Sequence, residues 1–247
     1  MSPVLAIGIL TTFISAVLAY LVLARYFSRG KGLHLLLWGI GLVFYAISGL
    51  CEIILAFGWS DPAFRLWYWT GALMIPPVLG QGTAHLLIRK PYIANILTLV
   101  VAVLGITSLF WICSIQLDPT KFNPNGDIGT FLTESYRAIL PQSPIRRVLS
   151  PVMNGYGTLL LAGGAIYSAL LFFRKQIMPN RVLGNLLIAI GAIIPAIGGT
   201  FIKTAETMPQ LSEIGSVIKY VGILGGVILL FIGFQLAVSG VHQPSTS

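Results

Sequence analysis

Charge is what this sequence has least of. Only 9% of its 247 residues are Asp, Glu, Lys or Arg, where a soluble domain carries about 25%. That scarcity argues against a soluble enzyme, a disordered tail and a conventional nucleic-acid binder. Cysteine is almost missing too: two in the whole chain exclude a disulfide scaffold or a Cys-based cluster site. There is no nucleophile motif, no phosphate-binding glycine loop and no HExxH, so the chain is not expected to be an enzyme. Hydrophobic residues fill the space instead, at 56% of the chain, with a mean hydropathy of +0.88.

A bilayer core about 30 Å thick needs roughly 20 apolar helical residues at about 1.5 Å each. Seven stretches qualify: Pro3 to Arg25, Leu33 to Phe57, Phe64 to Ile88, Tyr92 to Ile115, Pro151 to Phe173, Val182 to Ile202 and Ile214 to Val238. They take up about two thirds of the chain. Helices satisfy their backbone groups internally where no water can, so the expected fold is all-α: a single polytopic bundle of seven transmembrane helices over residues 1–247. The first stretch lacks the basic start of a secretory signal and is expected to be a retained helix.

The connections set the orientation. Arg25, Arg29 and Lys31 follow the first span, Arg89 and Lys90 the third, and Arg174, Lys175 and Arg181 join the fifth and sixth. No acidic residue lies on that side; the other carries Asp61, Asp118, Asp127, Glu134, Glu206 and Glu213. The positive-inside rule puts the N-terminus outside and the C-terminus in the cytoplasm. It also accounts for the net charge of +8 through the anionic inner leaflet, with no nucleic acid needed. The longest connection, residues 116–150 between the fourth and fifth spans, lies outside. It opens with turn-forming residues from Asp118 to Asp127, and Ile128 to Leu140 is expected to form a short helix over the bundle mouth. Asn123 to Asp127 faintly echoes a calcium loop but lacks the glutamate at its twelfth position; it is taken as a turn, and no metal site is expected.

Small residues form stripes on the last two spans: Gly184, Gly191, Pro195 and Gly198 on the sixth, Gly215, Gly222, Gly226 and Gly233 on the seventh. Such stripes let helix backbones approach closely in lipid. Packing of the sixth span on the seventh is the main expectation, and dimerisation through Gly222 and Gly226 the alternative. Pro76 and Pro77 in the third span free backbone carbonyls and kink the helix, either to shape a pocket or only to shape packing.

Polar residues within spans carry a cost and so a question. Glu52 lies about 7–8 Å inside the outer boundary of the second span, and Lys219 enters the seventh to a similar depth. Glu52 is either a structural interior carboxylate or part of a ligand or proton site; Lys219 is expected to snorkel outward or to join that site. Helical spacing aligns Glu52 with Ser48, Tyr45, Gly41, Trp38 and His34, and aligns Thr70, Met74, Pro77, Gln81 and His85 on the third span. A pocket between spans two, three, six and seven toward the outer half would be lined by Tyr45, Glu52, Trp69, Gln81 and Lys219. His34 and His85 share a cytoplasmic depth, as axial haem ligands from two helices would, but the favoured reading is headgroup contact. Cys51 and Cys113 both lie near outer helix ends, and a bridge between them is left open. A retinal protein needs a lysine deep in the seventh helix and a nearby carboxylate; Lys219 is too shallow and the third span has no carboxylate. No cofactor is expected, a bound lipid or hydrophobic small molecule is compatible with the bundle, and haem or pigment ranks last.

Trp38, Glu52, the run Trp67-Tyr68-Trp69, Gly71 and the Pro76-Pro77 pair occur in an order that resembles the seven-helix N-terminal sensor region of some bacterial histidine kinases. The resemblance covers Trp38 to Ile88, and the number and orientation of spans agree with it. It implies a receptor- or sensor-like protein of the bacterial inner membrane, a role class without a defined substrate; a small hydrophobic ligand is the expectation for this chain's own pocket. Sensor regions of that type precede a dimerisation helix and an ATPase domain, and the sequence stops at Ser247, so output is expected to pass through a partner protein. An accessory subunit of a larger membrane complex and a small-solute or proton-coupled transporter are the alternatives.

Overall fold

A computed structural model describes residues 3–29, 32–122, 132, 136–174, 179–205 and 212–239. Every regular element among them is helical. Seven long rods stand out: α1 (Pro3–Arg29), α2 (Leu33–Ala56), α3 (61–87), α4 (Pro91–Ser114), α5 (145–174), α6 (Pro179–Ala205) and α7 (Ser212–Ser239). Four contain stretches long and apolar enough to cross a membrane, namely Leu5–Ser28, Leu33–Ala56, Pro91–Ser114 and Ile145–Arg174. The other three rods cover the three remaining apolar stretches, Ile88 apart, two of them with shorter apolar segments, Val182–Ile194 and Val221–Leu236.

Helix starts follow local chemistry. α3 begins at Asp61, earlier than the expected Phe64, because Asp61 and Pro62 supply the acidic residue and the proline that suit a first turn. α5 begins at Ile145 rather than Pro151: a π-helical turn, Ile145–Leu149, whose Ile145 carbonyl accepts from the Ser150 N–H, runs directly into the Ser150–Thr158 segment. Thr11, Thr12 and Ser15 return their hydroxyl protons to carbonyls one turn back in α1, which removes their polar cost inside an apolar helix.

α1 packs on α2 and α7, α2 on α3, α3 on α5, α5 on α6, and α6 on α7, so six rods close a ring. α4 lies outside the ring and packs chiefly on α3. Glycines set the close crossings. A Cβ on Gly191 would come within 2.6 Å of the Gly226 carbonyl oxygen, and one on Gly233 within 2.7 Å of that of Gly184. Gly222 faces Ile194. The stripe containing Gly222 and Gly226 thus faces α6. Gly198 lies in α6 outside the described side chains.

Where the ring helices converge, a cavity of about 50 Å³ has walls that include Leu18, Leu42, Leu161, Leu230 and Phe234. At the other end of α3 an aromatic cluster joins Trp59, Phe64, Trp67, Tyr68, Trp111 and Tyr136 through ring contacts of 5.3–6.5 Å. Leu132, Ile139 and Leu140 of the long connection are buried against it. Residues 136–139 are helical and Leu140 follows them in a bend; the rest of the expected Ile128 to Leu140 helix, Leu132 apart, and the whole Asn123 to Asp127 turn lie outside the described residues. Arg65 ties this end together. It pairs with Asp61 and donates to the carbonyls of Ile112 and Ile115, which end α4.

Candidate functional site: an apolar groove beside a broken helix

The site begins with two missing protons. Pro76 and Pro77 have no backbone N–H, so carbonyls one turn earlier in α3 lose their donors. The backbone answers by widening: Tyr68–Met74 is π-helical, and the Ile75 N–H reaches back five residues to the Thr70 carbonyl. The Ala72 carbonyl, which an unbroken α-helix would bond to residue 76, is taken up from α5. The Ser150 hydroxyl donates to it at 3.0 Å and the Asn154 amide at 2.7 Å. Close approach makes this reach feasible, because Gly157 of α5 lies directly against the Pro76 and Pro77 backbone.

On the opposite side of the break, α2, α3 and α4 enclose a groove of about 210 Å³. Phe44, Trp69, Met74 and Val101 are among its apolar walls. Trp69 is held at both its edges: its indole N–H donates to the Gly105 carbonyl of α4 at 3.0 Å, and Phe44 of α2 meets its ring at 5.2 Å, edge to face. A Cβ on Gly105 would fall 2.7 Å from the Met74 methyl, so the glycine leaves room for that side chain in its present position.

The groove ends at a polar knot. Gln81, fully buried, donates from Nε2 to the Ala94 carbonyl at 2.8 Å and to the Thr98 hydroxyl at 2.9 Å, and its Oε1 accepts from the Tyr156 hydroxyl at 2.5 Å. Thr98 gives its single proton to the Ala94 carbonyl at 2.9 Å, so His85, whose Nε2 lies 2.7 Å from the same hydroxyl, must donate to it. The knot joins α3, α4 and α5 and spends every proton of the Gln81 amide and the Thr98 hydroxyl.

Of the residues expected to line one pocket, Trp69 and Gln81 meet in this groove, and Tyr45 and Glu52 do not. Tyr45 packs on the ring side of α2 against the cluster that contains Leu18, Leu42 and Leu79, within electrostatic reach of half-buried Glu52. Lys219 belongs to α7, but its side chain lies outside the described ones, as do those of residues 195–220, the part of the α6–α7 pair where the pocket was expected. The groove that holds Trp69 and Gln81 involves α4 instead of α6 and α7, and the smaller space lined by Ile188, Leu230 and Phe234 contains none of the five expected residues. His34 packs edge-on against Trp38 at 5.7 Å, and His85 is engaged by Thr98. Among the described residues no three His, Cys, Asp or Glu side chains converge as a metal site would require. Cys51 is buried, Cys113 exposed, and both are free thiols. Ser150, Asn154, Tyr156 and Thr98 were missed from sequence; the signal for the α5 residues was a polar group every second or fourth position opposite an expected proline break.

No family model, curated protein or solved structure matches the chain.

Proposed function

We propose that the chain is a seven-helix integral protein of the bacterial cytoplasmic membrane, N-terminus outside, that works as a non-enzymatic sensor or receptor. A small hydrophobic molecule occupies the groove between α2, α3 and α4, and a partner protein carries the output. One observation supports this reading most: the apolar groove and the break in α3 share the residues Trp69 and Met74. π-Helical turns occur often at functional sites, and a wall that is already loosened can shift when the groove fills. Charge placement supports the orientation, with Arg89 and Lys90 exposed at the α3–α4 turn.

The size of the groove narrows the ligand. Drug-sized ligands occupy about 300–1,000 Å³, so 210 Å³ suits one ring or one chain. The test is thermal stability of the detergent-solubilised protein against a panel of hydrophobic compounds, paired with flux assays in liposomes. Sensor behaviour is ligand-dependent stabilisation without flux. Solute uptake that fails on Glu52→Gln makes the chain a transporter. The apolar outer face of α4, with Leu99, Val103 and Phe110 exposed, favours a second reading as an accessory subunit, which copurification with other subunits in fixed ratio would establish.

A further inference from the structure

We infer that the groove takes the hydrocarbon part of a membrane lipid, a single fatty-acyl chain entering sideways from the bilayer between α2 and α4, with no polar group inside. The inference rests on the membrane reading above and specifies its ligand. Three features lead to it.

The first is the polar inventory. A ligand with a headgroup or hydroxyl in the groove needs a protein group free to meet it, and the polar side chains on the walls are Gln81 and Thr98, with the Trp69 indole N–H. Gln81 has both amide protons and its carbonyl engaged, Thr98 has given its one proton to Ala94, and the indole N–H is bound to Gly105. An inserted polar group would break one of these bonds or stay unsatisfied, at about 1–3 kcal/mol. A chain of methylenes makes no such demand.

The second is shape. The walls extend from Trp69 to Gln81 on α3 and from Thr98 to Ile106 on α4, about 18 Å and 12 Å along the helix axes at 1.5 Å per residue. A volume of 210 Å³ drawn out over the shorter of these lengths leaves the width of one chain and not of a fused ring system. Its long direction follows the helices, as acyl chains in a bilayer do.

The third is access. The α4 rim of the groove is formed by Ala102 and Ile106, both exposed, and they continue into the apolar face that carries Leu99, Val103 and Phe110. The rim lies near the middle of α4, at the depth where a leaflet's chains end. A lipid tail reaches the groove without leaving hydrocarbon.

The test uses the full chain in vesicles of phosphatidylcholine and phosphatidylglycerol with a trace of phosphatidylcholine bearing a mid-chain diazirine. After irradiation, adducts are mapped by mass spectrometry. Groove occupancy gives adducts on Met74 and Val78, which ordinary surface lipid does not reach because both are buried. Ala102→Phe, which fills the groove from an exposed position, should reduce these adducts at least tenfold while those on Leu99 and Phe110 stay constant; Ala102→Leu provides the same comparison with a smaller side chain. Unlabelled Met74 and Val78 beside labelled Phe110 would overturn the inference, as would labelling that survives both substitutions. So would labelling of Met74 and Val78 by a prenyl-chain diazirine probe and not by the acyl probe. If Leu99 and Phe110 also stay unlabelled, the membrane reading itself fails. Acyl adducts in the groove with no change in partner association would leave the site standing and remove the sensor role.

Discussion

Replacing Gln81 by methionine keeps the side chain long, flexible and of similar bulk but removes three interhelical hydrogen bonds: to the Ala94 carbonyl, to Thr98 and from Tyr156. Side-chain hydrogen bonds between membrane helices average about 0.6 kcal/mol, with a maximum near 1.7. Three average bonds give about 2 kcal/mol, roughly a 30-fold change in the folded-to-unfolded ratio. Tyr156→Phe removes only the hydroxyl bond and should cost about 0.6–1.7 kcal/mol. Because Gln81→Met has already removed the acceptor of that hydroxyl, the double variant should be hardly less stable than Gln81→Met alone. The cycle should therefore yield a coupling of about 0.6–1.7 kcal/mol, measured by reversible unfolding in mixed micelles. Losses that simply add, or a Gln81→Met protein as stable as the parent, would refute the knot as the tie among α3, α4 and α5.

Glycines of α5 offer a paired comparison. A Cβ on Gly157 would run into the Pro76 and Pro77 backbone, whereas one on Gly155 meets nothing within 4 Å. Gly155→Ala should stabilise by about 0.5–1 kcal/mol through helix propensity, and Gly157→Ala should destabilise by about 1–3 kcal/mol through overpacking; equal effects in the same unfolding assay would contradict the close α3–α5 crossing. Cys113 is exposed near the C-terminal end of α4 and Cys51 is buried, so under the proposed orientation a membrane-impermeant maleimide should modify Cys113 on intact cells and spare Cys51; labelling only after lysis would reverse the orientation. In the α4–α5 connection, the Thr120 hydroxyl and backbone N–H bond Asp118 and hold its carboxyl below the usual carboxylate range. A lowered folded value means that this turn is favoured above the unfolded carboxylate pKa of about 3.9 and loses that preference as pH falls through the lowered value. Thr120→Val should raise the Asp118 titration midpoint seen by carboxyl NMR, and an unchanged midpoint would show that the hydroxyl bond does not set it.

Sequence made some of this legible, for identifiable reasons. Glycine spacing on α6 and α7 translated directly into a seam, because small residues at intervals of three, four and seven leave little else for those faces to do. The prolines announced freed carbonyls, since the loss of a donor is a local covalent fact. Which residue would receive the Ala72 carbonyl was not local: Ser150 and Asn154 stand more than seventy positions away, and only the α3–α5 crossing brings them near. Helical periodicity placed Trp69 and Gln81 on interior faces but says nothing about which neighbour each face meets. α4 was hardest to place. It is apolar on all sides, so its sequence has no face to distinguish a ring member from a helix outside the ring, and the pocket was expected against α6 and α7 for want of that distinction. Thr98 was overlooked for the same reason, a single hydroxyl in an apolar rod.

The most direct test of a ligand-binding membrane bundle is native mass spectrometry, with an absorption spectrum, on protein extracted gently from its own membrane. One hydrophobic molecule retained per chain, lost in Trp69→Ala and in Ala102→Phe, is the expected result. A bare chain released only in fixed ratio with other subunits would contradict it, and would make the groove a product of packing alone.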